Sequence, residues 1–297
     1  MKFPTFTSLG QKEIYAAESI VAMSVYHGDK LKWIKEAVNS ILEQTYRDFI
    51  FVIVIDGDVD KQTLNYLKQL CLAVDNMFAY QGVTQAGLST CMNFAIDYGL
   101  KINARYFFRM DADDKSLPTR LEKQVNYFSE KSHVDVLGSA LIEIDEQGQK
   151  VGARKFPEHH DLLVKILPLR CPLNHPTVAI RFSVFEQGFR YNPMHLNTQD
   201  YFFWVTLASA GFKLANIREP LLEYRRVQGF YKRRGKDKSI NEFKARLFAM
   251  KTLKRYNIKT LTYAYFVLGL RMMPSFVIKL AYKFDRKFIH GNTDNTT

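Results

Sequence analysis

Cysteine is scarce in this 297-residue chain, and Cys71, Cys91 and Cys171 form an odd set without the paired spacing of a zinc site. That scarcity argues against a disulfide scaffold and for a reducing compartment. The opening Met1-Lys2-Phe3-Pro4-Thr5-Phe6 lacks an apolar h-region, so the sequence predicts no secretory signal and a cytosolic location. An unbroken apolar run of membrane-spanning length is also missing. The nearest approach, Leu261–Tyr282, is interrupted by Arg271, Pro274 and Lys279. A spanning helix needs about 20 mostly apolar residues, and a central Arg costs about 2.5–3.5 kcal/mol. No Gly-rich phosphate loop with Lys follows the first strand signal, where Ser24-Val25-Tyr26-His27-Gly28 stands instead, which counts against a nucleotidyltransferase. Without repeats or low-complexity tracts, the length suits one large domain or a domain with an appendage.

Negative charge is nearly absent from one region. Residues 225–290 hold 18 Lys/Arg against 3 Asp/Glu, a net of +15, while the remainder holds 24 against 27. A near-neutral globule with a strongly basic tail favours a polyanion, either nucleic acid or the anionic face of a membrane. No helix-turn-helix, zinc or aromatic RNA-binding signature accompanies the charge, so nucleic acid is not expected. The tail from Ile240 interleaves Phe243, Leu247, Phe248 and Met250 with Lys244, Arg246, Lys251, Lys254 and Arg255. That pattern fits amphipathic helices at a bilayer surface. An ordinary helical subdomain with a solvated basic face is the alternative.

What is abundant is aromatic, 23 Phe and 16 Tyr, and the apolar runs alternate between strand and helix periods. Ile20–Tyr26, Phe49–Ile55, a short run near Met77–Tyr80 and Ala104–Met110 read as buried strands. Helices are expected between them: one capped by Asp29 with Leu31, Ile34, Val38, Ile41 and Leu42 on its apolar face, then Lys61–Leu72 and Leu88–Leu100. This order implies a parallel sheet covered by helices on both faces, with ligands at the carboxyl ends of the strands. Later signals are a strand over Asp135–Asp145, a helix over His159–Leu167, a strand over Thr177–Arg181 and a helix over Asp200–Ala210.

The strand Ala104–Met110 ends in Arg109-Met110-Asp111-Ala112-Asp113-Asp114, before Leu117-Pro118 opens a helix. Carboxylates this close repel unless a cation holds them, and hard oxygen donors suit Mg²⁺ or Mn²⁺ on a diphosphate. A solvated acidic turn is the plainer reading of such a motif standing alone. Tyr26-His27, Asp56 and Asp111–Asp114 all fall at strand carboxyl ends on one edge, which makes one site.

Several segments in order resemble the family 2 glycosyltransferases, inverting enzymes of GT-A fold. They are Val21-Ala22-Met23-Ser24-Val25-Tyr26; Ser40-Ile41-Leu42-Glu43-Gln44-Thr45-Tyr46; Val52-Ile53-Val54-Ile55-Asp56-Gly57; Gly87-Leu88-Ser89 with Met92-Asn93; Arg109 to Asp114; Asn174-His175-Pro176-Thr177; and Gln199-Asp200-Tyr201-Phe202-Phe203-Trp204. The resemblance spans about residues 18–226 and is nearest to bacterial surface-polysaccharide enzymes that extend a sugar on undecaprenyl diphosphate. It implies a Rossmann-like, mostly parallel sheet over 1–226, with a nucleotide part at about 18–115 and an acceptor part at about 116–226. A basic, helical, membrane-associating region follows over 227–297.

The resemblance also implies roles. Ser24, Val25 and Tyr26 cradle the uridine, and Asp56 meets the uracil or ribose, although an Asp-Gly turn is its simpler reading. Gly87 gives the backbone close access to a ligand, and Asn93 joins the donor site. Asp111 faces the ribose or the metal, Asp113 ligates Mn²⁺ or Mg²⁺, and Asp114 ligates less often. Arg109 offsets the carboxylates or touches the nucleotide. Asp200 is the base that deprotonates the acceptor hydroxyl, or else a helix N-terminal residue interacting with the dipole. Gln199 stands where the family usually has Glu. His175 orients acceptor or diphosphate, or is a structural histidine. Arg225, Arg226, Arg233 and Arg234 offer bidentate contacts to a diphosphate of donor or acceptor. Trp204, Phe202 and Phe203 are expected in the core.

The expected activity is transfer of glucose or galactose from a UDP-sugar to a lipid-diphosphate-linked sugar, forming a β-linkage in O-antigen or exopolysaccharide synthesis at the cytoplasmic face of the inner membrane. Alternatives are a GDP-mannose or UDP-N-acetylhexosamine donor in the same fold, or a non-catalytic polyanion-binding protein.

Overall fold

The computed structural model describes residues 5–10, 15–195, 197–227 and 236–273. Four apolar segments form its centre: β2 (Ser19–Val25), β3 (Phe49–Ile55), β4 (Met77–Gly82) and β5 (Tyr106–Asp111), all parallel to their neighbours in the order β4-β3-β2-β5. Every residue of β3 is buried, as expected of a strand covered on both faces. Alternation then divides its side chains. Ile50, Val52 and Val54 join one core cluster, whereas Phe49, Phe51, Ile53 and Ile55 join the other.

Helices α1 (Leu31–Leu42), α2 (Lys61–Ala73) and α4 (Arg120–Glu130) cover the second cluster through Ile34, Val38 and Ile41, Leu67, and Leu121 and Phe128. Helix α3 (Leu88–Lys101) covers the first. Its Gly99 allows that close approach, since a Cβ there would fall 2.1 Å from Phe182 Cζ and 2.9 Å from Ile20 Cγ1. The first strand, β1 (Phe6–Ser8), pairs antiparallel with β4 at one edge.

Beyond β5 the sheet continues with mixed direction. It adds β6 (Lys115–Ser116), β7 (Val136–Ile144), β8 (Lys150–Arg154), β9 (Ala179–Arg181) and β10 (Leu214–Arg225). The path runs β1-β4-β3-β2-β5-β9-β7-β10-β6, with β8 on β7. Between these strands lie α5 (His160–Ile166), a 3₁₀ turn at His175–Thr177, α6 (Phe182–Glu186) and α7 (Gln199–Ser209). The architecture is therefore a mostly parallel central sheet flanked by helices, as expected. Trp204 and Phe203 are buried in its core, and Phe202 packs against it.

Two helices follow, α8 (Lys236–Thr252) and α9 (Ile258–Met272). Helix α8 joins the core: Ala245 and Ala249 are fully buried in the first cluster, and Phe248 packs 5.3 Å from Phe202 between ring centroids. Helix α9 begins with a capping box between Asn257 and Thr260. No helix among the described residues is long and apolar enough to cross a membrane. Arg233, Arg234 and the end of the Leu261–Tyr282 segment lie outside the described residues.

One local expectation is corrected. Asp29 does not cap α1: Lys30 is the N-cap and makes no side-chain cap bond. The Asp29 carboxylate turns back to accept the Tyr26 N–H at 2.9 Å.

Candidate active site

Register brings the polar strand ends together. Ser24 lies opposite Val54 on one side and Asp111 on the other, so Val25, Tyr26, Asp56 and Asp111 share one edge of the sheet. Buried Asp56 accepts from Ala86 N at 2.6 Å and from Gly87 N at 3.1 and 3.0 Å through its two oxygens. It thereby holds the loop ahead of α3. Gly87 has φ +86° and open space where a Cβ would stand, leaving its backbone bare towards this edge. Asn93 has its amide engaged within the protein. Its amide clamps the backbone of Tyr191, accepting from its N–H at 3.0 Å and donating to its carbonyl at 2.8 Å.

The acidic turn alternates. Asp111 and Asp113 are half-buried, Asp114 is fully buried, and ligand oxygens of all three lie within 4.8 Å of one another. Buried Arg109 hydrogen-bonds Asp111 but leaves its Nε and Nη1 without partners. One Asp114 oxygen accepts Arg225 N–H at 2.8 Å and the other is buried without a partner. Burial, then the charges of Asp113 and Asp111, push the Asp114 carboxyl well above the usual range. Asp29 stands close enough to feel the same field. Burial is the main cause that raises it to about 7, with Asp113 and Asp111 adding to the effect and Arg109 opposing it. Converging hard oxygen donors with an unpaired buried oxygen fit a divalent cation. Arg109 already supplies part of the compensating charge.

A cavity of about 350 Å³ joins this turn to residues from the later part of the chain, lined by Asp111, His175 and Asp200 among others. Asp200 sits in the first turn of α7, half-buried, after the N-cap Thr198. Burial pushes its carboxyl up to about 6, while the Tyr201 N–H and Lys238 pull it down. It is therefore a carboxylate at neutral pH with more proton affinity than an exposed Asp, which is what a general base needs. His175 is neutral, because burial and Arg109 both lower its pKa well below the ordinary value. Its Nε2 pairs with the Tyr191 hydroxyl at 3.1 Å.

The arginines divide. Arg225 is buried, with Nε donating to the Asp113 carbonyl at 2.9 Å, Nη1 to the Asp145 carbonyl at 3.2 Å and Nη2 to Glu36 at 2.5 Å. Its guanidinium is thus engaged inside the protein. Arg226 pairs with buried Glu143 at 3.5 Å, beside Arg154 at 2.7 Å on the same carboxylate. Neither Arg225 nor Arg226 lines the cavity. The cations that do are Arg154, Arg170, Lys238, Arg246 and Arg271. Sequence reasoning missed these and Asp29. The alternation of basic and apolar residues in α8 was visible, but which basic residues turn inward depends on how α8 docks.

Residues 20–189 match glycosyl transferase family 2, and the chain belongs to that family. Among its relatives is the O-antigen biosynthesis glycosyltransferase WbnJ of Escherichia coli, 30% identical over 213 residues, which are 69% of this chain and 78% of the relative. The E. coli UDP-Gal:alpha-D-GlcNAc-diphosphoundecaprenol beta-1,3-galactosyltransferase is 27% identical over 227 residues, 76% of this chain and 80% of that one. In structure the chain is similar to the mannosyltransferase PcManGT of Pyrobaculum calidifontis, solved with GDP-Man and Mn²⁺. The TM-score is 0.53 at 15% identity, covering 93% of this chain and 81% of that one. The likeness is one of fold, and the fold is the GT-A arrangement.

Proposed function

We propose that this chain is a metal-dependent, inverting hexosyltransferase. It moves glucose or galactose from a UDP-sugar to a lipid-diphosphate-linked sugar, forming a β-linkage during synthesis of a surface polysaccharide. The observation that carries the reading is the sharing of one cavity by Asp111, at the nucleotide edge of the sheet, and Asp200, a carboxyl held at about 6.

A sugar hydroxyl is a weak nucleophile at neutral pH. Asp200 accepts its proton as the acceptor oxygen bonds to the anomeric carbon and the bond from that carbon to the diphosphate oxygen breaks, releasing UDP. Attack on the face opposite the leaving group converts an α-linked donor into a β-linked product. Ser24, Val25, Tyr26, Asp56 and the Gly87 backbone hold the nucleoside. Asp111 and Asp113 would hold Mn²⁺ or Mg²⁺, with Asp114 behind them, and the ion would offset charge on the departing diphosphate. His175 and Arg109 keep the floor of the site ordered.

The enzyme works at the cytoplasmic face of the membrane. Support comes from the tail charge, 18 Lys/Arg against 3 acids over 225–290, and from α9, whose Ile258, Tyr265 and Phe266 are 74%, 57% and 65% exposed. An apolar helix face bordered by cations suits an anionic bilayer surface.

The test is a donor panel of UDP-glucose, UDP-galactose, UDP-N-acetylhexosamines and GDP-mannose with Mn²⁺ and an N-acetylglucosamine-diphosphate-lipid. UDP release that depends on both acceptor and a UDP-hexose, with a β-linked product, is expected. Transfer from GDP-mannose alone moves the chain to another donor class, and nucleotide binding too weak to detect sinks the enzyme reading.

A further inference from the structure

Besides Arg154, four cations line the cavity together with Asp200: Arg170 from the segment between α5 and the 3₁₀ turn, Lys238 and Arg246 from α8, and Arg271 from α9. Glu242 lies among them, paired with Arg246 at 3.5 Å and with Arg271. The Arg246 guanidinium is fixed further by Nε donating to the Leu169 carbonyl at 2.7 Å. Arg170 and Lys238, by contrast, enter no ion pair among the described residues. Among the described residues, four positive groups against Asp200 and Glu242 leave a surplus of two positive charges on this wall, matching in opposite sign the charge of a diphosphate diester. Arg154 stands outside that count, because Glu143 and the Tyr224 ring already hold its guanidinium.

Resting on the glycosyltransferase reading of Asp200, we propose that this wall binds the diphosphate of the acceptor, a sugar 1-diphosphate ester, with Arg170 and Lys238 as its principal contacts. The donor's diphosphate belongs beside Asp111 and Asp113, at the end of β5. The basic wall comes from different elements and lines the same cavity as the carboxylate that takes the acceptor's proton. Lys238 is near enough to Asp200 to lower its pKa. An acceptor whose hydroxyl meets Asp200 carries its anomeric diphosphate one sugar ring away, within the span of a long cationic side chain. Arg adds planar, paired donors suited to phosphoryl oxygens. Helix α9, which contributes Arg271 to the wall, also carries the exposed Ile258, Tyr265 and Phe266. Hydrocarbon attached to the diphosphate therefore finds an apolar surface on the same pair of helices.

The site is tested without turnover. Equilibrium binding is measured in EDTA with no donor, using a short-chain alkyl diphosphate ester of N-acetylglucosamine and the uncharged alkyl glycoside of the same sugar. The wild-type chain binds the ester about tenfold or more tightly than the glycoside, and Arg170→Ala combined with Lys238→Ala abolishes that preference. Lys238→Arg retains it. UDP binding with Mn²⁺, measured in the same variants, separates the two diphosphates. Weakened UDP binding with an intact ester preference assigns the wall to the donor and overturns the proposal. Equal wild-type affinity for ester and glycoside overturns it as well. Because no transfer is read, an intact ester preference that depends on Arg170 and Lys238 upholds the site even if every donor in the panel is inert, a result that counts only against the reaction proposed above.

Discussion

The backbone N–H of Arg225 donates to Asp114 Oδ1 at 2.8 Å, and its Nε donates to the Asp113 carbonyl at 2.9 Å, so the last residue of β10 grips the acidic turn from behind. Arg225 is buried and its far end meets Glu36 on α1. Three elements thus converge on one guanidinium beneath the candidate metal residues.

Removing that guanidinium takes a donor from Glu36 and from the Asp113, Asp145 and Glu146 carbonyls. Arg225→Ala is expected to destabilise the fold by about 2 kcal/mol, less than the scale for breaking a fully buried pair, because Glu36 keeps 30% of its side chain exposed. Arg225→Lys restores charge but not the spread of donors, so it recovers only part of the loss. Urea unfolding of the three proteins checks this, and an Arg225→Ala midpoint equal to wild type would show that the lock contributes nothing.

The same turn makes nucleotide binding depend on a divalent cation. With Asp113→Asn, UDP affinity in Mn²⁺ is expected to fall roughly tenfold or more towards the value measured in EDTA, because each carboxylate supplies charge as well as an oxygen ligand. Calorimetry with and without EDTA reads both quantities. Equal wild-type affinity in Mn²⁺ and EDTA would remove the acidic cluster from donor binding.

Much of this arrangement is legible in the sequence because the central elements obey one period each. Phe49–Ile55 is apolar throughout and is buried on both faces, and α1 keeps its helical stripe. β10 is not legible. Arg218-Glu219-Pro220 interrupts it, and the structure accommodates them through register shifts between Ile217, Pro220 and Glu223. β6, two residues long, carries too little pattern to read. At the site, Asp111, Asp113 and Asp200 stand out because spacing and family order mark them, whereas Asp29 reads as a helix cap. Its folded role depends on the Tyr26 N–H and on carboxylates distant in sequence. Arg225 reads as a phosphate ligand until its burial against Glu36 is known.

Asp200 sets a pH dependence. Burial raises its carboxyl to about 6 and Lys238 pulls in the opposite direction. The base form predominates above that value, so kcat/KM is expected to fall as pH drops through about 6. Lys238→Ala removes a cation that favours the carboxylate, which moves the acid limb to higher pH. Asp200→Asn is expected to lower kcat by roughly 10²–10⁴-fold, the usual contribution of a general base, while UDP binding persists. An acid limb near pH 4 in wild type, or one unmoved in Lys238→Ala, would contradict this account of the site.

The exposed face of α9 gives the last expectation. Ile258 and Phe266 are 74% and 65% exposed on a helix whose Ala264 is buried against the protein. Burying such side chains in the acyl region is worth about 1.5–3 kcal/mol each, or about a 10- to 150-fold change in partition per residue. Ile258→Ser with Phe266→Ser is therefore expected to weaken binding to vesicles containing anionic lipid by about a hundredfold or more. Raising salt weakens the wild-type protein as well, because the Lys/Arg attraction is screened within a Debye length. Co-sedimentation with anionic and with neutral vesicles separates the two contributions. Equal sedimentation of variant and wild type on anionic vesicles would exclude this face, and salt-insensitive binding would exclude the basic residues as its partners.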